Sequence, residues 1–352
     1  MKIVVLAGGY SMERDVSLTS AAMICNTLRD NGHQAVLVDS YLGLPKIRSR
    51  EELEALFVMD GTRLPKPEIA SQEPDLEALK KSRAGGSEAM FGPNVLEICS
   101  MADICYMGLH GGAGENGQMQ AALDMMGIKY TGSGYLASAV AMHKGFTKSV
   151  FLNHGVPTAR AFLLNRKDKD RPLSDFGYEL PVVLKICMGG SSVGVWIPQT
   201  EEEYRKDLEL AFATEEEILV EQYVKGREFS VGVLAGKALP VIEIIPREGW
   251  FDYEHKYQAG FSQEVCPAEV DPEAARRMQQ AAVLGARALE LEVYCRLDFI
   301  LDEQGEIYCL EANSLPGMTP ASLIPKEARA AGIAYEDLVE LLITESLKKY
   351  QH

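Results

Sequence analysis

Arg296-Leu297-Asp298-Phe299-Ile300-Leu301, then Asp302-Glu303-Gln304-Gly305, then Glu306-Ile307-Tyr308-Cys309-Leu310-Glu311-Ala312-Asn313 is the stretch that decides how this chain folds. Two β-favouring runs flank a polar turn that ends in glycine, which reads as a β-hairpin. Pairing Leu301 with Glu306 sets Asp298 opposite Cys309 and Arg296 opposite Glu311. Alternation then puts Arg296, Asp298 and Glu311 on one face. Leu297, Phe299, Leu301, Tyr308 and Leu310 take the other, which is the core face. Two carboxylates on one strand face, with Asn313 two residues on, make an oxygen cage. Hard cations such as Mg²⁺ take such ligands and usually bring a phosphate with them. The competing reading is a solvated face with an Arg–Glu cross-strand pair, worth about 0.2–1 kcal/mol.

Working outward, a second close pair of strands, Val182–Ile186 and Val193–Ile197, again implies antiparallel sheet. A helix starts at Thr200, where Thr200 and Glu203 form a capping box. The beginning of the chain reads differently. Residues 2–7 form an apolar strand, Val16 to Asn31 a helix closed by Gly32, and Gln34 to Asp39 a second strand. Ile104 to Leu109 follows as a strand and Gly117 to Met126 as a helix. Strands alternating with helices imply a parallel, doubly wound sheet. Leu136 to Asn153 reads as one long helix, ended by Gly155 and Pro157. Residues 43–92, broken by Pro45, Pro65, Pro67 and Pro74 and followed by Pro93, read as a surface excursion with short helices at Glu51–Phe57 and Asp75–Lys81. The fold class is thus an α/β parallel-sheet domain followed by two α+β parts.

Composition narrows the chemistry. The chain has 352 residues with 35 Lys+Arg against 51 Asp+Glu, a net charge of −16. That balance argues against a general nucleic-acid binder, which must neutralise a phosphate backbone, but leaves room for one small cationic pocket. Seven scattered cysteines without a CxxC motif read as reduced core thiols of a cytoplasmic protein. The apolar run after Met1 meets glycines after five residues, so it reads as a buried strand and not a signal peptide. No segment approaches the ~20 apolar residues of a membrane span.

Two further motifs are decoys. Gly112-Ala113-Gly114-Glu115-Asn116-Gly117 matches the dinucleotide fingerprint GxGxxG. Yet it does not follow the first strand, and Tyr130 to Val140 lacks the acidic residue that would hold a ribose. Gly190-Ser191-Ser192-Val193-Gly194 matches a hydrolase elbow, but a strand follows where the elbow needs a helix. What remains is a loop of small residues between strands, whose backbone N–H groups can converge on an oxygen-rich ligand. No GxxxxGK[ST] occurs anywhere. Together these features describe an ATP site without a P-loop. Lys144 and Lys185 are the candidate phosphate cations. The strand end at Glu221, Gln222, Tyr223 and Val224 offers backbone groups to an adenine, with Glu228 on the ribose.

These residues, with Gly8-Gly9-Tyr10-Ser11-Met12-Glu13-Arg14-Asp15-Val16-Ser17, Leu109-His110-Gly111-Gly112, Tyr130-Thr131-Gly132-Ser133, Met142-His143-Lys144, Asp252-Tyr253-Glu254-His255-Lys256-Tyr257 and Glu311-Ala312-Asn313-Ser314-Leu315-Pro316-Gly317-Met318-Thr319, give a pattern that resembles the D-alanine–D-alanine ligases of the ATP-grasp superfamily. The resemblance covers residues 1–40 and about 100–345. It implies an ATP-grasp fold, with residues 1–135 as the first domain, 136–226 as a central subdomain and 227–352 as a C-terminal subdomain with a lid at 246–264. It implies two D-alanines joined through an acyl phosphate for peptidoglycan, with ATP and Mg²⁺ or Mn²⁺, two ions, as cofactors. By the same resemblance Glu13 holds the first ammonium and hydrogen-bonds with Ser191 and Tyr257. Arg296 and the Gly317 N–H form an oxyanion site. Ser322 and the Leu323 N–H bind the second carboxylate, and His110 lies near the substrates. Asp298, Glu311 and Asn313 bind metal, and Lys144, Lys185 and Lys256 contact phosphates.

A homodimer through the first domain is the implied assembly; neither a nucleic acid nor a membrane is an implied partner. Lys185-Ile186-Cys187-Met188-Gly189 departs from the Lys-Pro start and more polar loop common in the family. The Lys256-Tyr257 pair is the type that makes an amide product. The alternatives are a D-serine second substrate, another amino-acid pair, an NAD-binding oxidoreductase or a nucleotide-binding module without turnover.

Overall fold

The structure, a computed structural model, describes residues 1–59, 61–65, 74–83, 87, 89–189, 194–246 and 262–351. Strands β1 (Lys2–Ala7), β2 (Gln34–Asp39) and β3 (Ile104–Met107) form a parallel sheet in the order β2-β1-β3. Every residue of β1 from Ile3 to Ala7 is buried, as befits a parallel strand covered on both faces. Helix α1 (Arg14–Asp30) packs on β1 and β2. In the excursion, α2 (Arg50–Ala55) and α3 (Leu76–Ser82) are the expected short helices. The excursion is anchored to the core by buried Leu53 and Phe57. Helices α4 (Val95–Ser100) and α5 (Gln118–Met125) complete this layer.

The long helix expected over Leu136–Asn153 is two helices, α6 (Tyr135–Met142) and α7 (Lys144–His154). His143 breaks them, with ψ 98°, and its Nδ1 accepts the Phe146 N–H at 3.3 Å as a cap on α7. Thr147 Oγ1 donates toward the carbonyls of Val140 and Ala141, which satisfies the end of α6. Capping groups, and not the apolar pattern, set this boundary. Its consequence is functional: the Lys144 N–H, released from helix pairing, donates to the Cys187 carbonyl at 3.0 Å.

The second sheet joins β4 (Ala161–Asn165), β5 (Val182–Ile186), β6 (Val195–Trp196) and β7 (Glu217–Gln222) in the antiparallel order β4-β7-β5-β6. Helix α8 (Glu201–Phe212) covers it and carries the expected capping box at Thr200 and Glu203. The third sheet holds β8 (Gly226–Leu234), β9 (Lys237–Ala238), β10 (Ile242–Pro246), β11 (Ser262–Val265), β12 (Tyr294–Asp302) and β13 (Ile307–Asn313). Its order is β11-β10-β8-β12-β13, with β9 on β8. Helix α9 (Pro272–Ala288), capped by Asp271 with Pro272 at its first position, seals one face with Met278, Ala281 and Ala282.

The β12–β13 register differs from the sequence expectation. Leu301 faces Ile307, Phe299 faces Cys309, and a bulge then sets Asp298 opposite Glu311 and Arg296 opposite Asn313. Leu310 is the extra residue. The core face is therefore Leu297, Phe299, Leu301, Ile307, Cys309 and Ala312, whereas Tyr308 and Leu310 do not join it. Arg296, Asp298 and Glu311 still share a face, and Asn313 joins them.

The last helices, α10 (Leu323–Ala330) and α11 (Tyr335–Lys348), return to the first domain. Leu338, Val339, Leu342 and Ile343 share one buried cluster with β1 and β3. Phe151 of α7 instead packs in the cluster of the third sheet. Among the described residues no helix is long and apolar enough to cross a membrane.

Phe299, wholly buried beneath the hairpin, gives a direct test of this layering. Phe299→Ala is expected to lower stability by about 3–5 kcal/mol in urea denaturation. A loss under about 1 kcal/mol contradicts a core placement.

Candidate active site

The polar face of the third sheet is built by register. Asp298 lies between Ser230 on β8 and Glu311 on β13. The Arg296 guanidinium clasps Asp298 with two bonds, Nε to Oδ1 at 2.9 Å and Nη2 to Oδ2 at 2.8 Å. Ser230 Oγ donates to the same Oδ1 at 2.8 Å. Burial alone would weaken the Arg296 charge, but Asp298 and Glu311 outweigh it and hold its pKa above the ordinary value. Asn313 Oδ1 accepts the Leu315 N–H at 3.0 Å and so shapes the turn that leads to Gly317. Two carboxylates and an amide oxygen on one face are hard donors that fit Mg²⁺ or Mn²⁺. Among the described residues no three His, Cys, Asp or Glu side chains cluster as a metal site.

Helix α7 brings the cations. Lys144 Nζ lies 3.4 Å from Glu311 Oε2 and also donates to the Gly189 carbonyl. One turn on, Lys148 shares the buried Glu221 carboxylate with Lys185 of β5. Burial would raise the Glu221 pKa, yet the two ammoniums outweigh burial and hold it below the usual range. Lys148 was not expected from sequence; its signal is the i, i+4 spacing from Lys144, which puts both on one helix face. Glu221 turns inward and is only 2% exposed, so its side chain anchors lysines, while its strand end continues through exposed Gln222 to half-buried Tyr223 and Val224. Glu228 is within electrostatic reach of Lys185. Glu215, also unexpected, accepts the N–H groups of Cys187 and Met188 at 2.6 and 2.9 Å, which fixes the start of the departing 185–189 segment.

The first domain contributes acids. Glu13 precedes α1, and its N–H donates to Ser11 Oγ at 3.1 Å. Gly111 has φ +68°, and a Cβ there would stand 2.5 Å from Glu13 Oε2 and from Ser11 Oγ. Only glycine allows this approach. The Gly111 N–H donates to Glu115 Oε1 at 2.8 Å. The turn that mimics a dinucleotide fingerprint thus spends a backbone donor on its own carboxylate. Burial, then the neighbouring Glu13, push the Glu115 carboxyl up to about 8. Arg296 and Glu311 also act on Glu115, which ties this loop to the hairpin. His110 is buried beside Glu13, and burial lowers its pKa.

Across the cleft, Ser322 precedes α10 and Leu323 is its first residue. Thr319 fixes Ser322, its N–H donating to Ser322 Oγ at 3.2 Å and the two hydroxyls lying 2.8 Å apart. Gly317 sits against Ser322, since a Cβ at 317 would be 3.0 Å from Ser322 Oγ. Ser191, Lys256 and Tyr257 lie outside the described residues, as does most of the 246–264 lid segment.

The fold and this site define an ATP-grasp type of architecture, and comparisons with known proteins give the family. Residues 2–133 match the family described as D-ala D-ala ligase N-terminus, and residues 151–344 that described as D-ala D-ala ligase C-terminus. The chain belongs to the D-alanine–D-alanine ligase family. It is 44% identical over 351 residues to a D-alanine–D-alanine ligase of Pediococcus pentosaceus, covering 99% of both chains. It is 39% identical to that of Geobacter sulfurreducens, covering 99% of this chain and 95% of the other. A crystal structure of the Bacillus anthracis D-alanine–D-alanine ligase complexed with ATP superposes with a TM-score of 0.74 at 27% identity, covering 99% of this chain and 98% of that one.

Glu115 supplies a pH test. In the folded, ligand-free chain it keeps its proton up to about 8, whereas its ordinary value is 4.5. Between those values the folded state binds more protons than the unfolded one, so this group makes stability fall as pH rises. Thermal melts at about pH 5 and about pH 8 are expected to show Glu115→Gln gaining on the unsubstituted protein at the higher pH. Parallel pH profiles contradict this assignment.

Proposed function

We propose that this chain is an ATP-dependent ligase that joins two D-alanines through an acyl phosphate, making the dipeptide used in peptidoglycan precursors. The observation that carries this reading is the sheet face on which Arg296, Asp298, Glu311 and Asn313 meet Lys144 of α7 and the acids of the first domain. The relatives are named for this reaction, and the Bacillus anthracis structure is named as holding ATP.

In the first step a D-alanine carboxylate oxygen attacks the γ-phosphorus of ATP, and the bond to the ADP oxygen breaks. In the second, the amine of another D-alanine attacks the acyl carbon; phosphate leaves with the bonding pair, and the amine loses a proton. Glu13 is assigned to the first ammonium, with Ser191 and Tyr257 completing that side and His110 beside them. Arg296 and the Gly317 N–H face the oxyanion, where preorganised donors act most strongly. Ser322 and the Leu323 N–H take the second carboxylate at a helix start. Lys144, Lys185 and Lys256 neutralise phosphate oxygens, and the 221–224 strand end with Glu228 takes the nucleoside.

Charge supports a metal requirement. Among the described residues, Lys144, Lys148, Lys185 and Arg296 are matched by Glu221, Glu228, Asp298 and Glu311, so these side chains leave a triphosphate little net positive charge. Divalent cations, Mg²⁺ or Mn²⁺ and two in number, held by Asp298, Glu311 and Asn313, supply that charge when bound. We assign the protein to the cytoplasm, where ATP is available, and to a homodimer through its first domain, as the family resemblance implies.

A panel of D- and L-amino acids with ATP and Mg²⁺, read by phosphate release and product mass, tests this function. D-alanine-dependent phosphate and a D-alanyl-D-alanine mass are expected. A mixed product with D-serine, or no dependence on D-alanine, overturns the substrate assignment. Arg296→Ala is expected to lower turnover by at least about 10²–10³-fold; near-normal turnover removes Arg296 from the mechanism.

A further inference from the structure

Glu327 of α10 (Leu323–Ala330) is an acid with no solvent exposure, and none of the roles above uses it. Both of its oxygens lie 3.1 Å from the Gly232 nitrogen of β8. That N–H needs a partner. β10 pairs with β8 as far as Ser230, β9 takes over at Val233, and Gly232 falls in the gap between them. Its carbonyl is served by the Leu239 N–H at 2.7 Å, and its N–H by Glu327. The contact is also a close approach. A Cβ on Gly232 would lie 2.5 Å from Ile324 Cδ1 and 2.6 Å from Glu327 Oε2. Gly232 is the cross-strand partner of Arg296.

We propose that Glu327 is a positioning residue for the second amino-acid substrate: by clasping the Gly232 N–H it seats α10 against the strand beside Arg296, which sets the distance between the helix start at Ser322 and Leu323 and the oxyanion site. This rests on the ligase reading above. Ser322 lies at the opening of the same short helix, so a shift at Glu327 carries to it. A buried acid leaving one N–H unsatisfied would destabilise that junction. A misplacement of about 1 Å in a reacting geometry lowers rates on the order of 10²-fold. Burial pushes the Glu327 carboxyl up to about 8, so it meets the Gly232 N–H as an acid that keeps its proton.

The test is initial-rate kinetics with D-alanine varied across both of its sites at saturating Mg·ATP, and with ATP varied at saturating D-alanine. Glu327→Leu is expected to raise the KM for the second D-alanine about 10–100-fold, as a buried N–H left without its partner implies, and to leave the KM for ATP within about twofold. Glu327→Gln keeps one acceptor oxygen and is expected to restore the second KM to within about fivefold of the unsubstituted protein. Gly232→Ala, which forces helix and strand apart, is expected to reproduce the Glu327→Leu pattern. An unchanged second KM in Glu327→Leu, or an equal rise in every KM, overturns the proposal. If Glu327→Leu yields no folded protein, Gly232→Ala decides: a selective rise in the second KM supports the proposal and an unchanged value overturns it. An unsubstituted protein inert toward D-alanine overturns the ligase reading, and the proposal falls with it; an active one with unaltered variants overturns the proposal alone.

Discussion

A single extra residue in β13 is the constraint on which the site depends. From the turn as far as Cys309 the hairpin pairs residue for residue, with Ile307 and Cys309 on the core face. Continued without interruption, that register would place Glu311 opposite Leu297 and turn its carboxylate into the core. The bulge at Leu310 shifts the phase by one, so Ala312 enters the core, and Glu311 and Asn313 emerge beside Asp298 and Arg296. One residue thus reconciles the need to bury apolar surface with the need to gather oxygen donors.

The face so formed works only with what is brought to it. The break at His143 frees the first residue of α7, and Lys144 and Lys148 then project from one helix side toward Glu311 and Glu221. Glu221 stays ionised because two ammoniums offset its burial, and Lys185 stays charged because the Glu221 and Glu311 carboxylates offset its own. The first-domain acids show the reverse: Glu115, crowded by burial and Glu13, holds its proton. On the proposed function, the site therefore combines groups of fixed charge beside the nucleotide with a pH-sensitive carboxyl beside the amino acids. That division suits a reaction in which charged phosphate must be held still while an ammonium gives up a proton.

Much of this was legible in the sequence. β1, β2 and β5 are built on short apolar runs, Ile3–Ala7, Ala35–Val38 and Val182–Leu184, which make them legible as strands. The Thr200–Glu203 box marks its helix because the capping chemistry is local. The hairpin was readable as a hairpin, and Arg296, Asp298 and Glu311 were rightly set on one face, although through a register that the bulge replaces. The turn pairs Leu301 with Ile307 and not with Glu306, so Tyr308 and Leu310 were misassigned to the core, and the bulge, which leaves no period-2 signature, then returns Glu311 to the face of Arg296. The His143 break was hidden because helix formers and apolar residues run on either side of it, and Gly145, which can be tolerated inside a helix, is the one local hint beside the side-chain caps that divide it. Glu215 and Glu327 owe their positions to partners distant in the chain, which no local pattern reveals, whereas Lys148 is marked only by its i, i+4 spacing from Lys144.

The direct test of the central claim, that the bulged hairpin gathers a metal-nucleotide site, is calorimetric titration of Mg·ATP into the unsubstituted protein and into Glu311→Gln. Removing a carboxylate from the shared face is predicted to weaken Mg·ATP binding by at least about tenfold, with the circular dichroism spectrum unchanged. Equal affinity for the two proteins would contradict the account.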